Sequence, residues 1–237
     1  MTLDSRNLRI LVLACWAGFL AWLWLTGETL RYLGPRTQWL VPFGAAMLGV
    51  AALAYARSTA PARSRPSLGE TVGLTALLLP IVAGMLLVNT QLGALAASKK
   101  LTARGIDASA LAELASRNAA ELSFLQVNVA GHNDRFADEN GIQPGRRARL
   151  VGFVLHAPEQ REGAFELARF YITCCVADAL PLGVTVEPAD PLPAGLARDD
   201  WLSVKGELLR SHGELRLRAA RIEKVEAPAH PYISFGS

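Results

Sequence analysis

The sequence predicts a membrane region of α-helices followed by an all-β domain, an OB-like small barrel with a β-sandwich as the alternative. Three observations predict it. Long uncharged apolar runs are confined to the first hundred positions, and from residue 149 onward short stretches alternate apolar with polar residues. Two of those stretches carry internal glycines, Gly152 and Gly206, which suit the sharp bends of a strongly coiled small sheet. A formal charge of +3 without a long lysine and arginine block offers nucleic acid little electrostatic attraction, so no nucleic-acid partner is expected.

The run 10–26, ILVLACWAGFLAWLWLT, carries no charge and approaches the roughly 20 apolar residues that cross a hydrocarbon core as a helix. A second uncharged run, 38–56, has Trp39 near one end and Tyr55 near the other, where amphipathic aromatics favour the headgroup region. The third, 71–93, contains Pro80 and Gly84, tolerable in a membrane helix when neighbours satisfy the freed backbone groups. A soluble helical core would have to bury all three runs, which is the harder packing problem. A cleaved leader is disfavoured for the first run because Thr26-Gly27-Glu28 is not a small-x-small site, although Ala94-Leu95-Ala96 after the third has that shape. Arg6, Arg9, Arg57, Arg63 and Arg65 flank one side of these spans and Arg31 and Arg36 the other. That bias puts the N-terminus in the cytoplasm of a cell with this inner membrane, and everything after residue 93 in the periplasm or outside.

The expected organisation is therefore a membrane region at 1–97, a connector at 98–147 and an extracytoplasmic β-barrel at 148–237. Lys99, Lys100 and Arg104 mark the exit from the membrane, and Asp107 or Ser109 could cap a short helix ending near Arg117. Residues 119–143 favour neither helix nor strand. Strands are expected at 149–156, with Val151, Phe153 and Leu155 on one face, and at 169–174, 184–186, 201–209 and 214–225. In the last, the alternation slips at Ala219-Ala220, as a β-bulge would make it.

The stretch most suggestive of chemistry is 172–181, ITCCVADALP. Adjacent Cα atoms lie about 3.8 Å apart, below the usual disulfide range, so a bond between Cys174 and Cys175 would be strained and easily reduced. The other reading is metal capture, with two thiolates, Asp178 and a histidine from elsewhere forming a soft site for Zn(II) or Cu(I). Adjacent strand residues point to opposite faces, so joint ligation requires a turn at the pair, which 177–181 could supply. The plain alternative is that both are small buried hydrophobes. Cys15 sits inside the first span and reads as helix packing. His132, His156, His212 and His230 have no metal-binding spacing, and His132-Asn133-Asp134 reads as a site-lining cluster or a loop. No nucleophile elbow, phosphate loop or catalytic carboxylate pair is present.

Three stretches carry a family resemblance: FELARFYITCCVADALPLGV at 165–184, DDWLSVKGEL at 199–208 and APAHPYIS at 227–234. In order and spacing they resemble the YcgQ-like family of bacterial membrane proteins, described as permease subunits, with a hydrophobic N-terminal region and a β domain. The resemblance implies a companion role beside a multi-span permease, association with transition metals and zinc in particular, and no catalytic activity. By that likeness Cys174, Cys175 and Asp178 are motif positions for metal. Arg169, Phe170, Pro181, Gly183, Trp201, Gly206, Pro231 and Tyr232 are motif or structural positions. The expectation is a non-enzymatic subunit whose outer domain binds or hands over a soft metal; a thiol redox sensor and a pure protein-assembly module are the rivals.

Overall fold

A computed structural model describes residues 5–58, 67–87, 92–101, 122–156, 163–193, 195–211 and 214–234. The chain divides into two compact units, 1–91 and 92–237, each of which is described by itself. The expected connector helix ending near Arg117, the polar residues Asn89 to Gln91 and His212 lie outside the described residues.

The first unit holds α1 (Ser5–Leu25), α2 (Leu40–Arg57), α3 (Leu68–Ala76) and α4 (Leu79–Leu87), with a 3-10 turn at Glu28–Arg31. Among the described residues three helical stretches are long and apolar enough to cross a membrane: Ser5–Leu25, Leu40–Arg57 and Leu68–Leu86, with mean hydropathies of 1.9, 1.5 and 1.6. The third begins three residues before the expected 71 and is interrupted. Pro80 has no N–H to donate and its ring crowds the carbonyl four residues back, at Ala76, where α3 ends. At this break the Ile81 N–H bonds the Leu78 carbonyl instead of that of Leu77, and the indole Nε1 of Trp16 donates to the Leu77 carbonyl, 3.1 Å away, so a neighbouring helix supplies a donor there. Gly84 lets the same segment approach α1, since a Cβ there would stand 2.9 Å from Phe19 Cζ. Of the small residues on α2, Ala52 is buried and Gly44 faces Leu20, whereas Gly49 and Ala51 open outward.

Polar contacts tie the helix ends. The Arg6 guanidinium donates to the carbonyls of Ala56 and Ser58 at 2.7 Å, satisfying groups that the C-terminus of α2 leaves without a helical partner. Arg9 and Ser5 both reach the Glu70 carboxylate. Glu70 stands in the first turn of α3, whose N-cap Ser67 accepts the Glu70 N–H, a position where a negative charge suits the helix dipole.

The second unit is a closed sheet preceded, among the described residues, by α5 (Ala94–Leu101), α6 (Phe124–His132) and α7 (Asp134–Glu139). Its strands are β1 (Arg147–His156), β2 (Phe165–Ile172), β3 (Leu180–Pro188), β4 (Trp201–Ser211), β5 (Glu214–Lys224) and β6 (Ile233–Ser234). Strands β1, β2 and β3 pair antiparallel in sequence, β3 pairs parallel with β5, β5 antiparallel with β4, and β4 antiparallel with β1. This ring of five strands with one parallel closure is the OB topology, and the single closed sheet replaces the sandwich alternative. The ring is uneven, because the β1–β2 and β3–β5 seams are short beside the β4–β5 ladder. A sixth strand, β6, arises from the C-terminal APAHPYIS stretch and runs parallel to β2.

Curvature has local causes. β1 serves two neighbours: Phe153 is opposite both Trp201 and Ala168, and the register shifts between Val154 and His156. On β4, Lys205 is opposite Arg221 while Gly206 is opposite Ala219, so Ala220 is the extra residue of a bulge, where the alternation slips. Gly206 is required at this crossing, since a Cβ would overlap the Arg218 carbonyl oxygen.

Two apolar clusters hold the unit. Inside the ring, Leu150, Leu167, Leu182, Val186, Leu202 and Leu217 pack with Phe124, Leu125 and Phe136 of α6 and α7. Outside it, Phe153, Leu155, Phe170 and Ile172 are covered by Ala94 and Ala97 of α5 and by Tyr232. Phe153 and Leu155, expected to share a face, do so beneath α5, whereas Val151 is only half-buried. Because both faces of β2 are covered, its sequence FELARFYI is nearly all apolar or buried rather than alternating.

Candidate metal centre

Strand β2 ends at Ile172, two residues before the expected 174, and this moves the cysteine pair out of the ladder. Thr173 and Cys174 form a bend, and Cys175, extended at φ −158° and ψ 171°, makes an isolated bridge before a 3-10 turn at Val176–Asp178. The bend at Cys174 is what lets the two side chains meet although Cys175 is extended. The two Sγ atoms lie 3.7 Å apart, and with a carboxylate oxygen of Asp178 all three donor atoms fall within 4.8 Å of one another. Cys174 is exposed; Cys175 and Asp178 are half-buried.

Asp178 builds the bend. Its Oδ1 accepts the Thr173 N–H at 2.9 Å, and its Oδ2 accepts those of Cys174 at 2.8 Å and Cys175 at 3.3 Å. Three consecutive amides leaving the end of a strand are thus collected by one carboxylate, which folds the chain back on itself. Burial works to raise the Asp178 carboxyl, but the Cys174 thiol and the three amides outweigh it and hold it below its ordinary value. The reciprocal effect falls on Cys174. A thiol that donates to a carboxylate, with a second thiol beside it, resists ionisation, and Cys174 is pushed up to about 12.

The sulfur spacing has a direct chemical reading. A tetrahedral zinc ion with Zn–S bonds of about 2.3 Å places two thiolates roughly 3.8 Å apart, close to the separation here. A carboxylate has about four lone-pair sites, so Asp178 can accept its amides and still present an oxygen. Among the described residues no histidine joins this group. His156 pairs with Glu166 at 3.0 Å, and His132 Nδ1 lies 2.8 Å from the Asn128 carbonyl oxygen. Among the described residues this group offers three donors, which would leave a fourth tetrahedral position to another ligand, the pattern of sites that exchange one.

The remaining motif residues form a different feature. Arg169 projects from β2 and donates to the carbonyls of Pro231 at 3.1 Å, His230 at 2.7 Å and Val151 at 3.4 Å. Its guanidinium lies 5.9 Å from the Trp201 ring centre. Phe170 stacks on Phe153 and meets Tyr232 edge-on. Arg169, Phe170, Trp201, Pro231 and Tyr232 thus fasten the C-terminal segment to β1 and β2. Burial lowers the Arg169 pKa. Pro181 and Gly183 stand opposite Phe170 and Ala168 in the β2–β3 ladder, and a Cβ at Gly183 would overlap the Glu166 carboxylate.

His132-Asn133-Asp134 is a helix junction: Asn133 caps α7 by accepting the Phe136 N–H, and Asp134 pairs with Arg210. Asp199 and Asp200 lie in a turn closed by the Asp200 N–H on the Ala197 carbonyl. Asp199, at φ 69°, also accepts the Ala94 N–H and so caps α5, while Asp200 pairs with Lys224.

Residues 133–234 match the family described as the DUF1980 C-terminal domain, which fits the YcgQ-like resemblance. Among curated proteins, none matches this chain. Among solved structures, the chain is similar to a small single-stranded DNA-binding protein from Streptomyces coelicolor. The two are 20% identical; the match covers 35% of this chain and 95% of that one, with a TM-score of 0.27. The OB assignment rests on strand order and pairing, not on that likeness.

Proposed function

We propose that this protein is a non-enzymatic membrane subunit that accompanies a multi-span permease. In this reading its barrel takes up and passes on a soft transition metal, zinc foremost, through Cys174, Cys175 and Asp178. The observation that carries the metal reading is the 3.7 Å sulfur separation at a bend whose third donor is already oriented by three amides. Hydrogen bonds that fix a ligand in this way commonly tune metal sites. An exposed Cys174, and a fourth position that no described residue fills, suit delivery better than a closed structural site.

The permease part is supported by the first unit. Its three candidate spans expose Met47, Val50, Met85 and Leu86, and Gly49 and Ala51 open outward, the kind of small-residue face against which membrane helices pack closely. The Arg6 contacts bring the start of α1 to the end of α2, so Arg6, Arg9 and Arg57 share one side. The positive-inside rule makes that side cytoplasmic, and three spans then carry the barrel outside.

The redox reading finds less support. The thiolate is the attacking species in disulfide exchange, and the Asp178 hydrogen bond holds Cys174 protonated at neutral pH. The raised Cys174 pKa opposes both reactions, since metal ligation also needs the thiolate; what favours metal is the oriented third donor, Asp178, which disulfide formation does not use.

The test is the metal content of the full chain purified in detergent under reducing conditions, beside the Cys174→Ser/Cys175→Ser variant. The reading expects about one zinc or copper ion per chain, lost in the variant while the circular dichroism is unchanged. Equal metal in both proteins would refute it.

A further inference from the structure

On the outer face of the barrel, β1 presents Arg147 and Arg149 to solvent while Ala148 and Leu150 point inward. Register carries this charge across two more strands. Arg149 is opposite Lys205 on β4, and Lys205 is opposite Arg221 on β5, so three cations stand abreast. Cross-strand neighbours on one face lie about 5 Å apart, inside the Debye length of about 8 Å at physiological salt, and like charges so placed weaken a sheet. Arg221 is paired with Glu223, and Arg149 donates to the Ser203 hydroxyl. Among the described residues no carboxylate pairs with Lys205.

Beside this row the surface sinks into a cavity of about 680 Å³. Gly206, which has no side chain, and the bulged Ala220 leave the space open. Its lining carries Arg146, Arg147, Arg149, Lys205 and Arg218 against one acid, Glu207, which pairs with Arg147 at 3.7 Å, while Arg146 also donates to the Asn140 and Gly141 carbonyls; Leu122, Ala148 and Ala219 make part of the lining apolar. The cysteine bend follows β2 and contributes nothing to this lining.

We infer that this cavity binds the phosphodiester headgroup of an acidic phospholipid, with the basic side chains on the phosphate and the apolar part of the lining against the glycerol and first acyl carbons. A purely soluble anion would leave the apolar part unused. In sequence, the barrel unit begins at Leu92, shortly after the third candidate span ends at Leu86. Clustered basic residues near a bilayer are drawn to anionic headgroups.

The experiment is calorimetric titration of the full chain in neutral detergent with four probes: dihexanoyl phosphatidylglycerol, dihexanoyl phosphatidylcholine, inorganic phosphate and an oligothymidylate. Phosphatidylglycerol is expected to bind at least about tenfold more tightly than phosphatidylcholine and to weaken as salt rises. The Arg149→Glu/Lys205→Glu variant is expected to abolish that preference. Should this variant misfold, Arg149→Gln/Lys205→Gln decides the matter, with an expected loss of about fivefold. Equal binding of the two lipids, or an unchanged preference in the folded variants, would overturn the inference. So would phosphate or oligothymidylate binding as tightly as phosphatidylglycerol.

Discussion

Cys174, Cys175 and Asp178 form one electrostatic unit in which the carboxylate both shapes the bend and holds the Cys174 proton. Asp178→Asn removes the charge that holds Cys174 up at about 12 and lets it fall toward the ordinary thiol range. Greater thiolate fraction, partly offset by lower nucleophilicity, should speed alkylation of Cys174 by about thirtyfold at neutral pH; timed iodoacetamide labelling with mass spectrometry reads this. Metal uptake follows the same sign. Cys174 is protonated below its raised pKa and must lose that proton to ligate, so apparent zinc affinity should climb about tenfold or more per pH unit between pH 6 and 8. A flat profile would mean that Cys174 is not a ligand. The adjacency of the thiols and the nearby carboxylate were visible in ITCCVADALP, but the bend that aligns them was not. Whether a strand ends at Ile172 or at Cys174 depends on three backbone amides finding Asp178, which no propensity encodes. Arg169 offers a second residue-level prediction: Arg169→Ala strands three carbonyls and should cost about 3 kcal/mol, seen as a lower Tm and faster proteolysis after residue 225.

Among the elements, legibility followed the pattern of burial. Strands β4 and β5 have one face toward solvent, so their alternation, and the slip that marks the bulge at Ala220, could be read directly. Helix α6 could not be placed, because its residues from Phe124 to Ala130 are all buried and no polar stripe betrays a helical period. Its start was signalled all the same: Ser123 and Gln126 form a reciprocal capping box, a spacing detectable in sequence. β6 escaped notice because two residues are too short for a period. The glycine at the bulge is the element on which ring closure turns. Gly206→Ala drives a methyl into the Arg218 carbonyl and should destabilise the barrel by about 2–3 kcal/mol, measured by chemical denaturation. In the membrane unit, Trp16→Phe removes the donor to Leu77 at the break between α3 and α4. A loss of about 1 kcal/mol is expected, visible as reduced thermal stability in detergent.

At the scale of the whole molecule, the division into an apolar helical unit and a β unit was legible from composition alone, because a bilayer and a barrel make opposite demands on sequence. Strand order was not legible. Closure through the parallel β3–β5 seam depends on contacts between distant residues, and five short strands are equally compatible with a sandwich until those contacts form. The proposed function joins the two units through a single claim, that the barrel carries a thiolate metal site to the side of the membrane it faces. X-ray absorption at the zinc edge on the zinc-loaded full chain tests that claim most directly. The account predicts two sulfur neighbours at about 2.3 Å with lighter oxygen or nitrogen donors completing four-fold coordination. A first shell without sulfur would contradict it.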